Sequence, residues 1–578
     1  MQKCNAVIFD ALKQQWLSFQ EPEKIFSCAD HASILSILDS VESEIAVGKY
    51  AVGFVSYEAA PAFDSALTVH RNSGFPLLWF AVFDHAETTA VPAPAGSVLG
   101  VLPWTLSIDK NEYASALNKI NKYIHQGDTY QVNFTFRMRT QFSYKPWDLF
   151  GRMIQAQGNG YGAYIEVEDW SVCSASPELF FSYSDATLIS KPMKGTVPRA
   201  KQAGDDRKQA LWLKNSPKNR AENLMIVDMV RNDLGHVART GSVTTTSLFD
   251  IEKYPTVWQM TSTVEAGTDA GIGEIFTALF PAASITGAPK ARTMKIICEL
   301  EKEPRKIYTG CIGFFRPDRS AQFNVAIRTV LIDKKKHVAE YGVGGGIVWD
   351  SETENELDEC FIKARVLTHV EPEFELLESI LWTPEQGYYL LPFHLDRLSA
   401  SAEYFSWELD IDRVRNKLEE ATAGLNNERY KVRLRVTRSG EPLVDAVIVS
   451  SDMQGYRIHL ARHAVDSEND LFLYHKTTRR QTYDNHMAEF PGYDDVLLFN
   501  EHRELTESCR ANLVVETDNK MYTPPVSCGL LEGTYRRYLL EQDRIEERVI
   551  KLDELSDCSR IMLANSVRGL WEIKLETS

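Results

Sequence analysis

The sequence predicts a mixed α/β (α+β) chain built as two successive units, and three observations carry that reading. The chain has 578 residues, more than one hydrophobic core fills, so roughly two to four domains are expected. Strand-like apolar runs alternate with helical periodicities along the whole length. The pattern halts near Val370–Phe374, VEPEF, and restarts beyond it. The expected division is 1–100 as the N-terminal part of a first unit, 101–370 as its catalytic part, and 371–578 as a second, smaller unit.

In chain order, Tyr50–Tyr57 and Leu77–Phe83 read as buried strands, and Thr88–Ser97, TTAVPAPAGS, as a loop. Lys110–His125 has helical spacing through Tyr113, Leu117, Ile120 and Ile124. Strands are predicted at Tyr130–Met138, Tyr161–Val167 and Glu178–Tyr183. Ser216-Pro217 supplies a cap and first-turn signal for a helix through Ala221–Leu234. Cys311–Phe315, Phe323–Ile332 and Val338–Val343 read as successive strands, the last two joined by a turn at Asp333–Lys336. Ser351-Glu352-Thr353-Glu354 is a capping-box pattern for a helix reaching about Thr368. The second unit is expected to hold a helix from about His394 and strands at Val432–Thr437 and Val496–Phe499.

Composition narrows the class without reaching the chemistry. Hydrophobic content of 44 % with 25 % charged residues is that of a soluble globular protein. No apolar run approaches the roughly 20 residues that span a bilayer, and MQKCNAVIFDALKQQW lacks a signal-peptide core. Nine cysteines are scattered singly, which suits reduced thiols in the cytoplasm rather than a disulfide or zinc framework. A net charge of −17 disfavours nucleic acid and anionic membrane as partners.

Four segments of the first unit set reactive side chains beside turn residues: SASPEL (174–179) with Glu178, KPMKGT (191–196) with Lys194, NRAENLMIVDMVRND (219–233) with Glu222, and ETENELDECFIKAR (352–365) with Glu359 and Lys363. Alone, each has a plainer reading. A glutamate after Ser-Pro is more often a cap than an acid, and Glu359 and Lys363 at i,i+4 make an ordinary surface pair. The run GVGGG (342–346) fails the dinucleotide pattern because Ile347 occupies its last position.

Taken in order, the segments resemble the chorismate-utilising enzymes, among them the anthranilate, aminodeoxychorismate, isochorismate and salicylate synthases. The matching motifs are GDTYQVNFT (127–135), SASPELF (174–180), KPMKGTVPR (191–199), AENLMIVDMVRNDLG (221–235), SITGAPKARTM (284–294), YTGCIGF (308–314), NVAIRT (324–329) and GVGGGIVWDS (342–351). The resemblance implies Mg²⁺ on Glu222 and Glu359, binding the ring carboxylate of chorismate. It implies Arg328 and Tyr308 on the enolpyruvyl carboxylate, with further substrate contacts from Thr286, Gly287, Gly344, Gly345 and Lys363. Glu178 is implied as the general acid for the departing C4 hydroxyl. Lys194 stands in the P-[IM]-K-G-T setting of the aminodeoxychorismate branch, where the lysine attacks C2 before ammonia enters at C4. Gln259 stands where anthranilate synthases carry a histidine, and Gln131 where the isochorismate and salicylate branches carry a lysine.

In the second unit, Arg397, Lys476, Glu507 and the Gly533-Thr534 pair resemble the site of the fold-type IV pyridoxal phosphate enzymes, the class IV aminotransferases and aminodeoxychorismate lyase. That resemblance implies pyridoxal 5′-phosphate on a Schiff-base Lys476, its phosphate on Arg397 and the Gly533-Thr534 amides, and its pyridine nitrogen on Glu507. Asn512, Asn565 and Ser566 are expected to line the pocket. The combined expectation is 4-aminobenzoate synthesis for folate: amination of chorismate, then elimination of pyruvate. The alternatives are an aminotransferase or a non-catalytic domain in the second position. No cysteine sits in a G-x-C-x-G turn, so ammonia is expected from a separate glutamine amidotransferase subunit. A homodimer through the C-terminal unit is a further inherited expectation.

Overall fold

The computed structural model describes residues 4–71, 74–94, 100, 102–158, 160–368, 372–449 and 456–576. The contacts divide the chain into two compact units, Met1–Arg199 with Gln209–Glu371, and Pro372–Ser578 with Ala200–Lys208. The break read at Val370–Phe374 and the loop read at Thr88–Ser97 lie partly outside the described residues.

The first unit is built on two 10-stranded sheets, and every pairing in them is antiparallel. One sheet centres on Gln131–Gln141, paired along its length with Val338–Ile347. The other centres on Leu179–Ser184, Ala321–Val325 and Cys311–Phe315. Strand alternation sorts the side chains into layers. Val52 and Phe54 face a core shared with Ile8, Phe19 and Ile165 of the opposite sheet, whereas Ala51 and Val55 face the helices Ile34–Ala46 and Ile272–Leu279. Helices Lys110–His125 and Pro146–Gln157 cover the outer face of the first sheet in the same way.

Local chemistry accounts for the helix ends. Asp109 accepts the Glu112 amide at 2.9 Å while the Glu112 carboxylate takes the Asp109 amide, a reciprocal cap for Lys110–His125. Ser216 accepts from the Asn219 amide, and Pro217 opens the helix Pro217–Gly235. Two expected elements differ. Phe323–Ile332 is not one strand: Ala321–Val325 and Thr329–Asp333 belong to different sheets, because Arg328 adopts φ 49° and turns the chain from one to the other. The capping box at Ser351 is not formed. The Ser351 hydroxyl donates instead to Glu356 at 2.6 Å, and the helix Thr353–Ala364 is followed by a 3₁₀ turn, Arg365–Leu367.

The second unit has a 4-stranded sheet around Leu376–Thr383 and Tyr430–Val436 and a 9-stranded sheet around Asp495–Phe499, Leu505–Ser508 and Asn512–Thr517. Helices Leu391–Phe405 and Ile411–Thr422 pack Leu395, Leu398, Val414 and Leu418 against the inner face of the smaller sheet.

One buried ion pair ties the first unit together. Arg305 donates to both Glu301 oxygens (3.0 and 2.6 Å), to the carbonyls of Asn133 (2.7 Å) and Ile285 (3.1 Å), and lies 4.5 Å from the Tyr57 ring centre. Arg305→Met leaves the Glu301 carboxylate buried with Arg137 only at 4.0 Å. We expect a loss of roughly 3–5 kcal/mol in the first unit, the scale for breaking a buried pair. Urea unfolding followed separately for the two units should shift the first transition and leave the second unmoved.

Candidate functional site

In the first unit a cavity of about 330 Å³ opens between the sheets and the helices Pro217–Gly235 and Thr353–Ala364. Glu178 leaves the end of the strand Trp170–Ser176 after Pro177 and is buried, accepting the Ser284 hydroxyl at 2.6 Å and the Met193 amide at 3.5 Å. Burial pushes its carboxyl up to about 7. Lys194 lies on Met193–Pro198, whose register against Val257–Gly267 shifts between Met193 and Thr196, with Gly195 at φ 104°. That bulge is clamped from both sides. Asn223 donates to the Lys194 carbonyl (3.2 Å), Gln259 donates to the Gly195 carbonyl (2.9 Å), and the Thr196 hydroxyl donates to Gln259 (2.9 Å). The Lys194 amine rests 3.3 Å from Glu222, and a Cβ on Gly346 would meet it at 2.6 Å.

Glu359 pairs with Lys363 at 2.8 Å, and the Lys363 ammonium also donates to the Gly344 carbonyl at 3.0 Å. Lys363 chiefly holds Glu359 below the ordinary carboxylate range, whereas burial and then the Glu359 charge raise its neighbour Glu356. Arg328 is half-buried, donates to the Gln157 side-chain oxygen, and lies 5.8 Å from the Tyr254 ring centre; its desolvation lowers its pKa. Tyr308 lies against Gly342, where a Cβ would fall 2.1 Å from its ring. Only glycine admits the ring there.

Three expected contact residues are placed off the cavity wall. Thr286 is fully buried, its hydroxyl donating to the Ala282 and Ala283 carbonyls, and Gly287 pairs with Val132 in the sheet. Their predecessors Ser284 and Ile285 line the cavity. Gly345 faces Glu356 rather than the chamber, while Gly344 and Gly346 line it. Sequence reasoning missed Glu356, whose signal was its i,i+3 spacing from Glu359 on the same helix.

In the second unit a cavity of about 430 Å³ is lined by Arg397, Lys476, Glu507, Asn512, Gly533, Thr534, Asn565 and Ser566 among others. Lys476 forms no ion pair among the described residues; burial, with the Arg397 charge beside it, lowers its amine to about 7. Arg397, on the helix Leu391–Phe405, grips both oxygens of Glu378 (2.8 and 2.6 Å) and donates to the Glu532 carbonyl at 2.9 Å. Three of its five N–H donors are thereby used and two remain. Glu378 also meets His394 at 2.6 Å. Burial works against its charge, but Arg397 and His394 outweigh it and hold the carboxyl near about 2. Nothing in the local sequence had marked Glu378.

Glu507 accepts from the Tyr483 hydroxyl (2.8 Å), the Asn512 amide (3.0 Å) and the Leu531 backbone (3.1 Å), and burial raises it to about 7. Gly533 precedes the helix Thr534–Glu541 with no side-chain cap, and a Cβ there would fall 1.7 Å from Asn512 Oδ1. These features fit pyridoxal phosphate: uncapped helix amides and a half-used guanidinium for a phosphate, a half-buried amine of lowered proton affinity for its aldehyde, and an oriented carboxylate for a ring nitrogen. The carboxylates Glu222, Glu356 and Glu359 are hard oxygen donors of the kind Mg²⁺ takes.

Residues 4–369 match the family described as chorismate binding enzyme, more than half of the chain, and the chain belongs to that family. Residues 375–575 match amino-transferase class IV, a domain that implies pyridoxal phosphate. Among curated relatives, aminodeoxychorismate synthase component 1 of Escherichia coli is 38 % identical over 271 residues, 46 % of this chain and 59 % of the relative. The Bacillus subtilis protein of the same name is 38 % identical over 275 residues, 47 % and 57 %. The chain thus spans less than two thirds of these relatives' length. Anthranilate synthase component I from Streptococcus pneumoniae shares the first unit's fold, with a TM-score of 0.52 and 22 % identity over 63 % of this chain and 90 % of that one. No helix among the described residues is long and apolar enough to cross a membrane.

Because Glu378 fixes Arg397 toward the cavity, Glu378→Gln should weaken pyridoxal phosphate binding by on the order of tenfold, about 1.4 kcal/mol. Titrating the cofactor-free chain with pyridoxal phosphate and following absorbance measures this directly.

Proposed function

We propose that the chain makes 4-aminobenzoate in two reactions, aminating chorismate in the first unit and eliminating pyruvate from the product in the second. The observation that carries it is the lysine pair: Lys194 beside Glu222 in a chamber with a proton-holding Glu178, and Lys476 half-buried and without an ion pair among the described residues in the second cavity.

In the first reaction Arg328 and Tyr308 hold the enolpyruvyl carboxylate. Glu222 and Glu359, helped by Glu356, would hold Mg²⁺, which supplies charge neutralisation for the ring carboxylate. The Lys194 amine forms a bond to C2 as the C4–O bond breaks, and Glu178 gives the departing hydroxyl its proton so that water leaves. Ammonia then bonds to C4 while the C2–N bond breaks, restoring the lysine. Gln259, bound to the loop that carries Lys194, offers no base for pyruvate loss, which supports retention of the enolpyruvyl group here.

In the second reaction pyridoxal phosphate would be held by Lys476, Arg397, Gly533, Thr534 and Glu507, and it supplies an electron sink for the carbon bearing the amine. The Lys476 amine removes the C4 proton and returns a proton to the enolpyruvyl methylene as the C3–O bond breaks. The products are pyruvate and an aromatic amine. Ammonia comes from a separate glutamine amidotransferase subunit, the second unit forms a homodimer, and the enzyme works in the cytoplasm.

Incubation with chorismate, ammonium, Mg²⁺ and pyridoxal phosphate should yield 4-aminobenzoate and pyruvate in equal amounts. Lys476→Ala should accumulate aminodeoxychorismate and Lys194→Ala should consume little chorismate; keto acid-dependent amino transfer instead of pyruvate release would sink the lyase half. A second expectation concerns pH. A carboxyl raised to about 7 is half protonated at neutrality and loses its proton above it. Amination, corrected for free ammonia, should therefore fall as pH rises through about 7, and Glu178→Gln should lower it by roughly 10²–10⁴-fold and remove that limb.

A further inference from the structure

Outside the groups assigned to the cofactor, the second cavity carries an unusual charge balance. Seven of its lining residues are cationic, Arg397, Lys431, Arg433, Lys476, Arg480, Arg510 and Arg568, against the single carboxylate Glu507. The whole chain carries a net charge of −17, so this concentration runs against the composition. Three of the seven have structural or cofactor duties: Arg397 grips Glu378, Lys476 is the amine assigned to the cofactor, and Arg480 donates to the Cys509 carbonyl at 2.5 Å. The remainder gather from three elements. Lys431 and Arg433 project from one face of the strand Tyr430–Val436, Arg510 from the turn after Leu505–Ser508, and Arg568, packed 5.7 Å from the Tyr456 ring centre, from the turn before Gly569–Glu572.

Their neighbour Arg435 shows what an ordinary surface arginine does on that strand, pairing with Glu375 and Asp445. Lys431, Arg433 and Arg510 form no ion pair among the described residues. Burial and then the charges of Arg433, Arg510 and Arg568 depress Lys431, as cations close together must.

We propose that Lys431, Arg433 and Arg510, with Arg568 at their edge, form a dicarboxylate subsite that holds both carboxylates of the substrate while its amine reaches Lys476. A guanidinium fork matches a carboxylate, and two separated carboxylates use several such cations where a simple amino acid uses one. The second unit thereby selects dianionic ring amines over monocarboxylate amino acids. The proposal deepens the lyase reading of this cavity and rests on it.

The test uses the full chain loaded with pyridoxal phosphate and the double variant Arg433→Gln/Arg510→Gln, both residues exposed, with Lys431→Gln as a second variant. Supplied aminodeoxychorismate should show a KM raised about tenfold or more, with kcat changed far less and a shallower salt dependence. Isophthalate should inhibit the unaltered lyase better than benzoate, and the variants should lose that preference while keeping the visible-edge cofactor absorbance and cofactor affinity. Intact absorbance with unchanged KM, or no preference for isophthalate in the unaltered chain, overturns the subsite alone. Absence of any cofactor absorbance, lost or not on Lys476→Ala, overturns the cofactor reading and the subsite together.

Discussion

The Arg305 guanidinium is the point at which the parts of the first unit meet. It reaches the Asn133 carbonyl in one sheet, Tyr57 beside the other, the Ile285 carbonyl next to Ser284, and Glu301 after the helix Lys290–Leu300. A buried ion pair is tolerable only when its donors and acceptors are nearly all satisfied, and here the carboxylate also takes the Thr135 amide and hydroxyl. The consequence is positional. Ser284 holds Glu178, and Tyr308 stands three residues from Arg305, so Glu178 and the Tyr308 side of the chamber are both fixed by one buried charge.

The two lysines are prepared by opposite means. Lys194 is positioned by its own backbone, with Asn223 and Gln259 holding the carbonyls on either side of a bulge, and its amine meets an anion. Lys476 forms no ion pair among the described residues, and desolvation beside Arg397 lowers its proton affinity. An amine meant to bond to carbon must be both aimed and neutral. The first chamber invests in aim and the second in neutrality.

How far the sequence could be read follows from the range of the interactions involved. Lys110–His125 and Cys311–Phe315 were bounded correctly because periodicity and apolar runs are local signals. Phe323–Ile332 was read as continuous because nothing in NVAIRT announces the left-handed Arg328, whose conformation is imposed by two sheets meeting. Ser351 carried a local cap pattern, but the half-buried Glu356 competed for its hydroxyl and won. Lys194, Glu178 and Lys476 stood out through ordered motifs. Glu378 did not, since its partners His394 and Arg397 lie 16 and 19 residues away on a helix. Thr286 and Gly287 illustrate the converse: a glycine beside a threonine suggests free amides, yet the Thr286 amide closes a 3₁₀ turn and Gly287 pairs with Val132.

The glutamates show why residue type alone underdetermines chemistry. Glu178, Glu507 and Glu378 are all buried, and desolvation pushes each toward protonation. Glu378 meets a guanidinium and an imidazole and stays charged, which makes it a fixed anchor. Glu178 and Glu507 reach the same value of about 7 but differ in their donors. Glu507 accepts three hydrogen bonds from an hydroxyl, a side-chain amide and a backbone amide, so its oxygens are aimed and a nearby cation would readily keep it ionised. Glu178 accepts one short bond from Ser284 and one long bond from Met193, both at Oε1. Among the described residues its other oxygen has no such donor to compete with a proton. A carboxyl with one oxygen anchored and the other able to carry a proton has the form of an acid, whereas a carboxylate held on both sides has the form of a counter-ion.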